Sequence, residues 1–341
     1  MHTFVHSGVA ARRATLLACA APILAAWIAF CGIADAAAWP QRPVRIITTS
    51  LPGSATDVAA RAVAIRLSDV FAQQFIVDNR PGAGGQIAVE LAARAAADGY
   101  TLLFTSDGPL AISPALRKLP YDPRKDLEPL AFIAFNEYML VVHPTLPASS
   151  VGELVKLAKG SPGKLRYGSA GMGSPNHMGM ELFKLKAGID VTHVPYKGGP
   201  AATADLLGGQ IDVAMLGPPA IAHVKAGRLR AIAVPGARRS ELMPELPPIS
   251  DTVPGVDVRT WGAFFAPAGT PRATLERLHT EIARELGTPA LRKLLADQGL
   301  RVEVMSRTDL GRLLAADLRK HSEVAQALKG ARALENTTIN R

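Results

Sequence analysis

Residues 167–183 read YGSAGMGSPNHMGMELF, a run of glycine and serine that leads into helix-like apolar spacing. The residues just before, KLRYGSA, have the pattern of a short buried strand. The stretch is therefore a strand, a small-residue loop and a helix beginning near Asn176. Backbone N–H groups at such a junction lack intrahelical partners and attract an anion. A phosphate cradle, a hydrolase elbow and a carboxylate receptor all use this arrangement.

Motif spacing narrows the choice. The phosphate loop G-x-x-x-x-G-K-[ST] is absent, and Gly171 and Gly173 are not followed by the third glycine of a dinucleotide fingerprint. A nucleophile elbow needs G-x-S-x-G, but Tyr167 stands where its first glycine belongs relative to Ser169. A serine hydrolase using Ser169 or Ser174 remains the competing enzyme reading. His177 and Glu181 are four apart, so both fall on one helix face, yet no second histidine helix or cysteine pair completes a metal site. A capping or supporting hydrogen bond is the expected role of His177. No cofactor and no metal are expected, and no catalytic residue is assigned.

Outward from this stretch, strand-like and helix-like segments alternate. PVRIITT, QFIVDN and YTLLFTS read as strands, separated by helices over 57–71 and GQIAVELAARAAA. A second series starts near residue 141. It contains a capping box at Ser150 and Glu153, the strands KLRYGSA, VTHVPY, IDVAML and RAIAVP, and the helix GPAATADLLGG. This rhythm predicts α/β units with mostly parallel sheets. Two long extended segments, LEPLAFIAFNEYMLVV and VDVRTWGAFFAP, predict two crossings between domains, as a hinged clamp requires. Near the C-terminus, Thr270 with Pro271 and Ser306 with Asp309 read as helix starts, and the helices after them as packing elements. The expected organisation is a signal peptide at 1–36, a first domain formed by 37–140 and 256–341, and a second by 141–255.

The N-terminus and composition limit the function. Arg12 and Arg13 precede an apolar run over 15–34, and Ala34-Asp35-Ala36 fits a signal-peptidase site. A membrane anchor is the weaker reading, because no basic stop-transfer cluster follows. The paired arginines match a twin-arginine signal only in part. Losing Arg12, Arg13 and Asp35 would take the formal charge from +9 to +8, and both cysteines, Cys19 and Cys31, would leave with the signal. The exported chain is then large enough to rely on its core without a disulfide. Lysine and arginine are scattered and aromatics are only 5%, which speaks against nucleic acid and favours a mild attraction for small anions.

Three further loops carry candidate binding residues. In SLPGSATD, Ser50, Gly53, Ser54, Ala55, Thr56 and Asp57 form a strand-to-helix mouth like that at Ser169, Ala170, Gly171, Gly173 and Ser174. Thr56 or Asp57 would serve there as an ordinary cap, or the mouth would bind an anion. Tyr196, Lys197 and Gly198 precede a third helix start; Lys197 is either an anion partner or a solvated loop lysine. NRPGAGG, residues 79–85, is either anion-friendly or a tight structural loop.

At these residues the chain resembles the Bug receptors, the extracytoplasmic solute-binding components of tripartite tricarboxylate transporters. The resemblance rests on WPQRPVRII, PGSATD, NRPGAGG, DGYTLL, SAGMGSPNHMGMELF, HVPYKGGPAATADLLGGQID, KAGRLRAIAV and FFAPAGTP, and it covers nearly the whole exported chain. It implies a two-domain periplasmic-binding-protein fold of the Venus-flytrap type. It further implies a monomer that closes on a di-, tri- or aromatic carboxylate and delivers it to membrane permease subunits; a receptor feeding a signalling protein is the alternative. Carried onto this chain, the ligand loops are 50–57, Thr105, Ser106 and Asp107, 169–174 with His177, and 196–199. The chain departs from the pattern in two places. Ser50, Leu51 and Ser54 replace a Phe, a Pro and a Gly, and Leu216-Gly217-Pro218-Pro219 stands where an Asp-Asn pair is usual. Replacing an aromatic by Ser50 implies room for a larger ligand, unless Leu51 fills the space.

Overall fold

The computed structural model describes residues 39–236, 238–240 and 243–339, with side chains up to residue 329 in the last helix. The expected export signal, its cleavage site and both cysteines lie outside the described residues.

The chain begins with β1 (Val44–Thr48), α1 (Ala55–Phe71), β2 (Phe75–Asn79), α2 (Gln86–Ala93) and β3 (Thr101–Ser106). A π-helical turn (Gly108–Ile112) and α3 (Ser113–Leu116) lead to β4 (Leu127–Asn136). Then come β5 (Met139–Val142), α4 (Val151–Gly160), β6 (Arg166–Ser169), α5 (Pro175–Ala187), β7 (Thr192–Pro195) and α6 (Gly199–Leu207). After these follow β8 (Val213–Leu216), α7 (Ile221–Lys225) and β9 (Arg230–Ala233). The last part holds β10 (Thr260–Pro267), α8 (Arg272–Leu286), α9 (Pro289–Asp297), β11 (Leu300–Val302) and α10 (Arg307–Ile339).

These strands form a six-stranded sheet, β11-β4-β10-β3-β1-β2, and a five-stranded sheet, β7-β6-β8-β5-β9. Both are mixed rather than mostly parallel. The pairs β1–β2, β1–β3, β6–β7 and β6–β8 are parallel, as βαβ units dictate. The strands that carry the chain between the sheets break the rule: β10 is antiparallel to both β3 and β4, and β5 to both β8 and β9. A strand arriving from the other sheet needs no crossover helix, so its direction is free. The first passage is only Glu137 and Tyr138, between β4 and β5; the second lies between β9 and β10.

Each sheet has its own core. Phe132, Phe265 and Trp261 centre the first, and Tyr167, Phe183 and Met178 the second. Burying an aromatic or aliphatic side chain of this size contributes about 1.5–3 kcal/mol. Trp261 keeps its polar edge satisfied, donating from Nε1 to Asp317 at 2.7 Å. Helix α10 touches both cores: Leu310 and Leu314 belong to the first, whereas Val324 packs into the second. Lys186 of α5 also meets Glu323 of α10 at 2.6 Å.

Local starts differ from expectation at two points: Ser54, and not Thr56 or Asp57, caps α1, because its extended backbone lets the hydroxyl reach the Asp57 amide, and the start of α8 differs as well. Ser306 caps α10 with its hydroxyl accepting from Asp309, but Thr270 does not cap α8; its hydroxyl donates back to Pro267 O at 2.7 Å. Pro271 stands at that cap, without a side-chain hydrogen bond.

Candidate functional site

The first sheet presents two loops tied together by one carboxylate. Ser54 caps α1, accepting from the Asp57 amide. Asp57 is 2% exposed, and its carboxylate accepts from the Gly53 amide at 2.9 Å, Asn79 Nδ2 at 2.7 Å and Arg61 Nε at 3.0 Å. Asn79 also donates to Ser50 O at 3.0 Å, which joins the ends of β1 and β2. Burial alone would raise the Asp57 pKa; the hydrogen bonds from Arg61, Asn79 and Gly53, with the Arg61 charge, outweigh it and hold the carboxyl below its usual range. Ser50 donates to the Thr56 hydroxyl at 2.7 Å.

The loop after Asn79 turns sharply through residues 82–85, all with positive φ. At Gly85, with φ +89, a Cβ would lie 3.0 Å from both Pro109 and Thr49, so only glycine fits.

The second sheet presents the loop quoted at the outset, braced by neutral groups. Ser169 Oγ lies 2.7 Å from His193 Nε2 and accepts from the Gly171 amide. Ser174 caps α5 and donates to Gly171 O at 2.6 Å. The Gly173 amide donates to His177 Nδ1 at 3.2 Å, and the Ala170 amide to Asn176 Oδ1 at 3.3 Å. His193 stacks on Tyr167 and touches the His177 ring. Burial, helped by His177, pushes the His193 pKa down to about 4, so the imidazole is neutral near pH 7. Tyr167 donates to Glu181, which also pairs with Lys184 at 3.0 Å; burial and Glu181 push the tyrosine pKa up.

Loops from both sheets line one cleft of about 1080 Å³. Thr49, Leu51 and residues 81–85 contribute from the first sheet, as do Ser106, Leu116 and Arg117; Met172, Gly173, Ser174 and Pro175 contribute from the second. Arg117 is the one charged side chain among these lining residues, and it donates to Ala83 O at 2.8 Å. The amide of Met172 has no hydrogen-bond partner among the described residues. A second cavity of about 500 Å³ lies on the other flank of the same loop, with Ala170, Pro175 and Asn176 in its wall.

The expected site residues thus separate into three groups. Ser106, Gly173 and Ser174 line the cleft, and Ala170 the second cavity. Ser50, Gly53, Ser54, Ala55, Thr56, Asp57, Thr105, Ser169, Gly171 and His177 are absent from both walls, and most of them hold the loops in shape. Asp107 is turned inward and 2% exposed; burial and the nearby Asp317 raise its pKa to about 7. Tyr196, Lys197 and Gly198 line neither space; the Tyr196 hydroxyl donates to Asp205 at 2.7 Å. Gly173 differs from expectation in one further way, because its amide is already used by His177. Sequence reasoning passed over Thr49 and Arg117. Arg117 sits in no motif, and only the short turn of α3 brings it beside the 81–85 loop. Among the described residues no three His, Cys, Asp or Glu side chains group as metal ligands.

Known proteins resemble this chain over most of its length. A family model described as "Tripartite tricarboxylate transporter family receptor" matches residues 59–329. Protein BugT of Bordetella pertussis is 35% identical over 302 residues, covering 86% of this chain and 92% of BugT. A Rhodopseudomonas palustris protein solved with adipate is 34% identical, with TM-score 0.71, covering 84% of this chain and 97% of that one. MatC from the same organism, solved with bound malate, is 27% identical with TM-score 0.69, covering 84% of this chain and all (100%) of MatC.

Proposed function

This chain belongs to the tripartite tricarboxylate transporter receptor family, and from that membership we propose that it captures a small organic carboxylate between its two sheets for delivery to a membrane permease. It is a solute-binding receptor, in a family of receptors rather than enzymes. The observation that carries the proposal is the cleft: loops from both sheets meet there, with backbone groups and a single cation, Arg117, in its walls. Such a wall holds an anion through amide hydrogen bonds and helix-end partial charge, without burying a fixed countercharge. Ser169, the candidate nucleophile of the competing reading, is fully buried (0% exposed) beside a neutral His193, which suits a brace for the loop.

The export signal read at 1–36 supports a periplasmic receptor, which we propose is a monomer whose domains are 37–140 with 256–341, and 141–255. The brief passage at Glu137 and Tyr138 and the return before β10 supply two hinge strands. Because α10 packs on both cores, closing must bend or slide this helix. Isothermal titration with a carboxylate panel that includes adipate and malate tests the receptor reading. Saturable one-to-one binding, with a raised melting temperature and no consumption of ligand, is the expected result. Failure of every carboxylate to bind, in a protein with a sharp melting transition, overturns it.

A further inference from the structure

The second cavity has an unusual combination of walls. Leu207, Met215, Leu216, Pro219 and Ala220 make it apolar, and no Asp, Glu, Lys or Arg side chain is among its lining residues. Its polar side chains are already engaged: Asn176 accepts from the Ala170 amide, Thr203 donates to Gly199 O at 3.0 Å, His223 Nδ1 meets the Arg228 guanidinium, and the Tyr138 hydroxyl meets Thr260. Besides the Tyr138 amide, three backbone N–H groups at strand-to-helix junctions are not. Those of Asn176, Gly199 and Gly217, all lining residues, have no hydrogen-bond partner among the described residues. They come from three separate segments: the first turn of α5, the start of α6 and the end of β8. Pro175, Pro200 and Pro219 stand between and beside them, adding apolar surface without adding donors.

We propose that this cavity selects the ligand: it takes a monocarboxylate with an apolar body, an alkyl chain or a single ring, whose carboxylate meets these three amides. The proposal rests on the carboxylate-receptor reading and narrows it. An apolar body gains from leaving water against Leu207, Met215, Leu216 and Pro219. A second carboxylate on the same ligand would be pressed against that apolar wall, where the one histidine, His223, is already taken by Arg228, and burying an unpaired charge is costly. The cavity volume, about 500 Å³, lies within the range of small-molecule sites. Pro175 belongs to the walls of both spaces, so the ligand in this cavity shares the 170–176 loop with the cleft.

Titration of the purified full chain with hexanoate, phenylacetate, adipate and malate tests the selection. Hexanoate and adipate have the same chain length and differ by one carboxylate. We expect hexanoate and phenylacetate to bind at least about tenfold more tightly than adipate and malate. Ala204 lies in the cavity wall on an exposed position of α6, so Ala204→Phe obstructs the space without loading the core. The variant should melt like the parent when unliganded and bind hexanoate about tenfold or more weakly. Adipate or malate binding as tightly as the monocarboxylates overturns the selection while leaving the receptor reading intact. So does a folded Ala204→Phe protein that keeps full hexanoate affinity. If none of the four binds, the selection falls; the receptor reading falls with it only when the whole carboxylate panel also fails to bind.

Discussion

The two walls of the cleft are braced by opposite chemistry. On the first sheet an ionised carboxylate, Asp57, gathers Gly53, Asn79 and Arg61, and the neighbouring loop exposes a cation, Arg117. On the second sheet the bracing pairs are neutral: Ser169 with His193, and the Gly173 amide with His177. The difference teaches that the fold does not need charge to hold a glycine-rich loop. A half-buried imidazole does the same work, and it adds no fixed charge to the wall of the second cavity. A charge in that wall would lie next to the ligand and its apolar surroundings.

The largest expected effect comes from breaking the charged brace. Asp57→Ala removes three hydrogen bonds, leaves the Gly53 amide without its acceptor and leaves Asn79 Nδ2 with Ser50 O alone. Hydrogen bonds to a charged group contribute about 1.5–3 kcal/mol each before the loops relax, so we expect a loss of about 3 kcal/mol in a denaturant titration. Ligand affinity should fall as well, because the 49–54 and 79–85 loops lose their common anchor. Unchanged stability would mean that the two loops hold themselves without Asp57.

The neutral brace should fail in acid, where the charged one persists. His193 has a folded-state pKa of about 4 against 6.5 when unfolded. Between those values the unfolded chain takes up a proton and the folded chain does not, so stability falls as pH drops from 6.5 toward 4. Asp57 behaves differently. Its depressed pKa keeps its contribution present above about pH 3.8, and that contribution is lost only as pH falls through the lower folded value. His193 is only half-buried, so its contribution at pH 5 is on the order of 1 kcal/mol. His193→Gln retains a polar side chain and should flatten the pH 4–6.5 limb of the stability profile. A limb of unchanged slope in that variant would assign acid sensitivity elsewhere, for instance to buried His321, whose pKa burial lowers to about 3.

Much of the fold was legible because local signals agreed with it. The strands before Thr48, Asn79, Ser106 and Ser169 have apolar runs bounded by turns, and Ser150 and Ser306 cap their helices as their capping boxes predict. Ser54, by contrast, caps α1 where Thr56 or Asp57 was expected, and Ser174 caps α5 without such a box. Strand direction was less legible, since β5 and β10 owe their orientation to the passage between sheets and not to any local pattern. The glycine-serine loops announced themselves through composition, yet composition does not say where an amide is spent. Gly173 looked like an open donor until His177, one helical turn along, proved to accept from it. Arg117 carried no motif at all. Its position beside Ala83 depends on the π-helical turn and α3, which no periodicity in 107–116 marks.

The smallest expected effects compare two cations that sequence alone does not rank. Arg117 lines the cleft and is exposed, with one hydrogen bond to Ala83 O. Lys197 stands beside the expected YKGG loop, is exposed, and lines neither space. An exposed charge pair is worth about 0.2–1 kcal/mol, so Arg117→Ala should weaken binding of a carboxylate found by titration by up to about fivefold. That loss should shrink as salt rises from 20 to about 500 mM, because the Debye length falls below the separation over which the charge acts. Arg117→Lys should recover part of the affinity by restoring charge without the planar fork. Lys197→Ala should change affinity by less than about twofold, since its charge acts only through solvent. Should the lysine change prove the larger of the two, the anion is held from the second sheet by a side chain, and the contrast between a charged and a neutral wall is reversed.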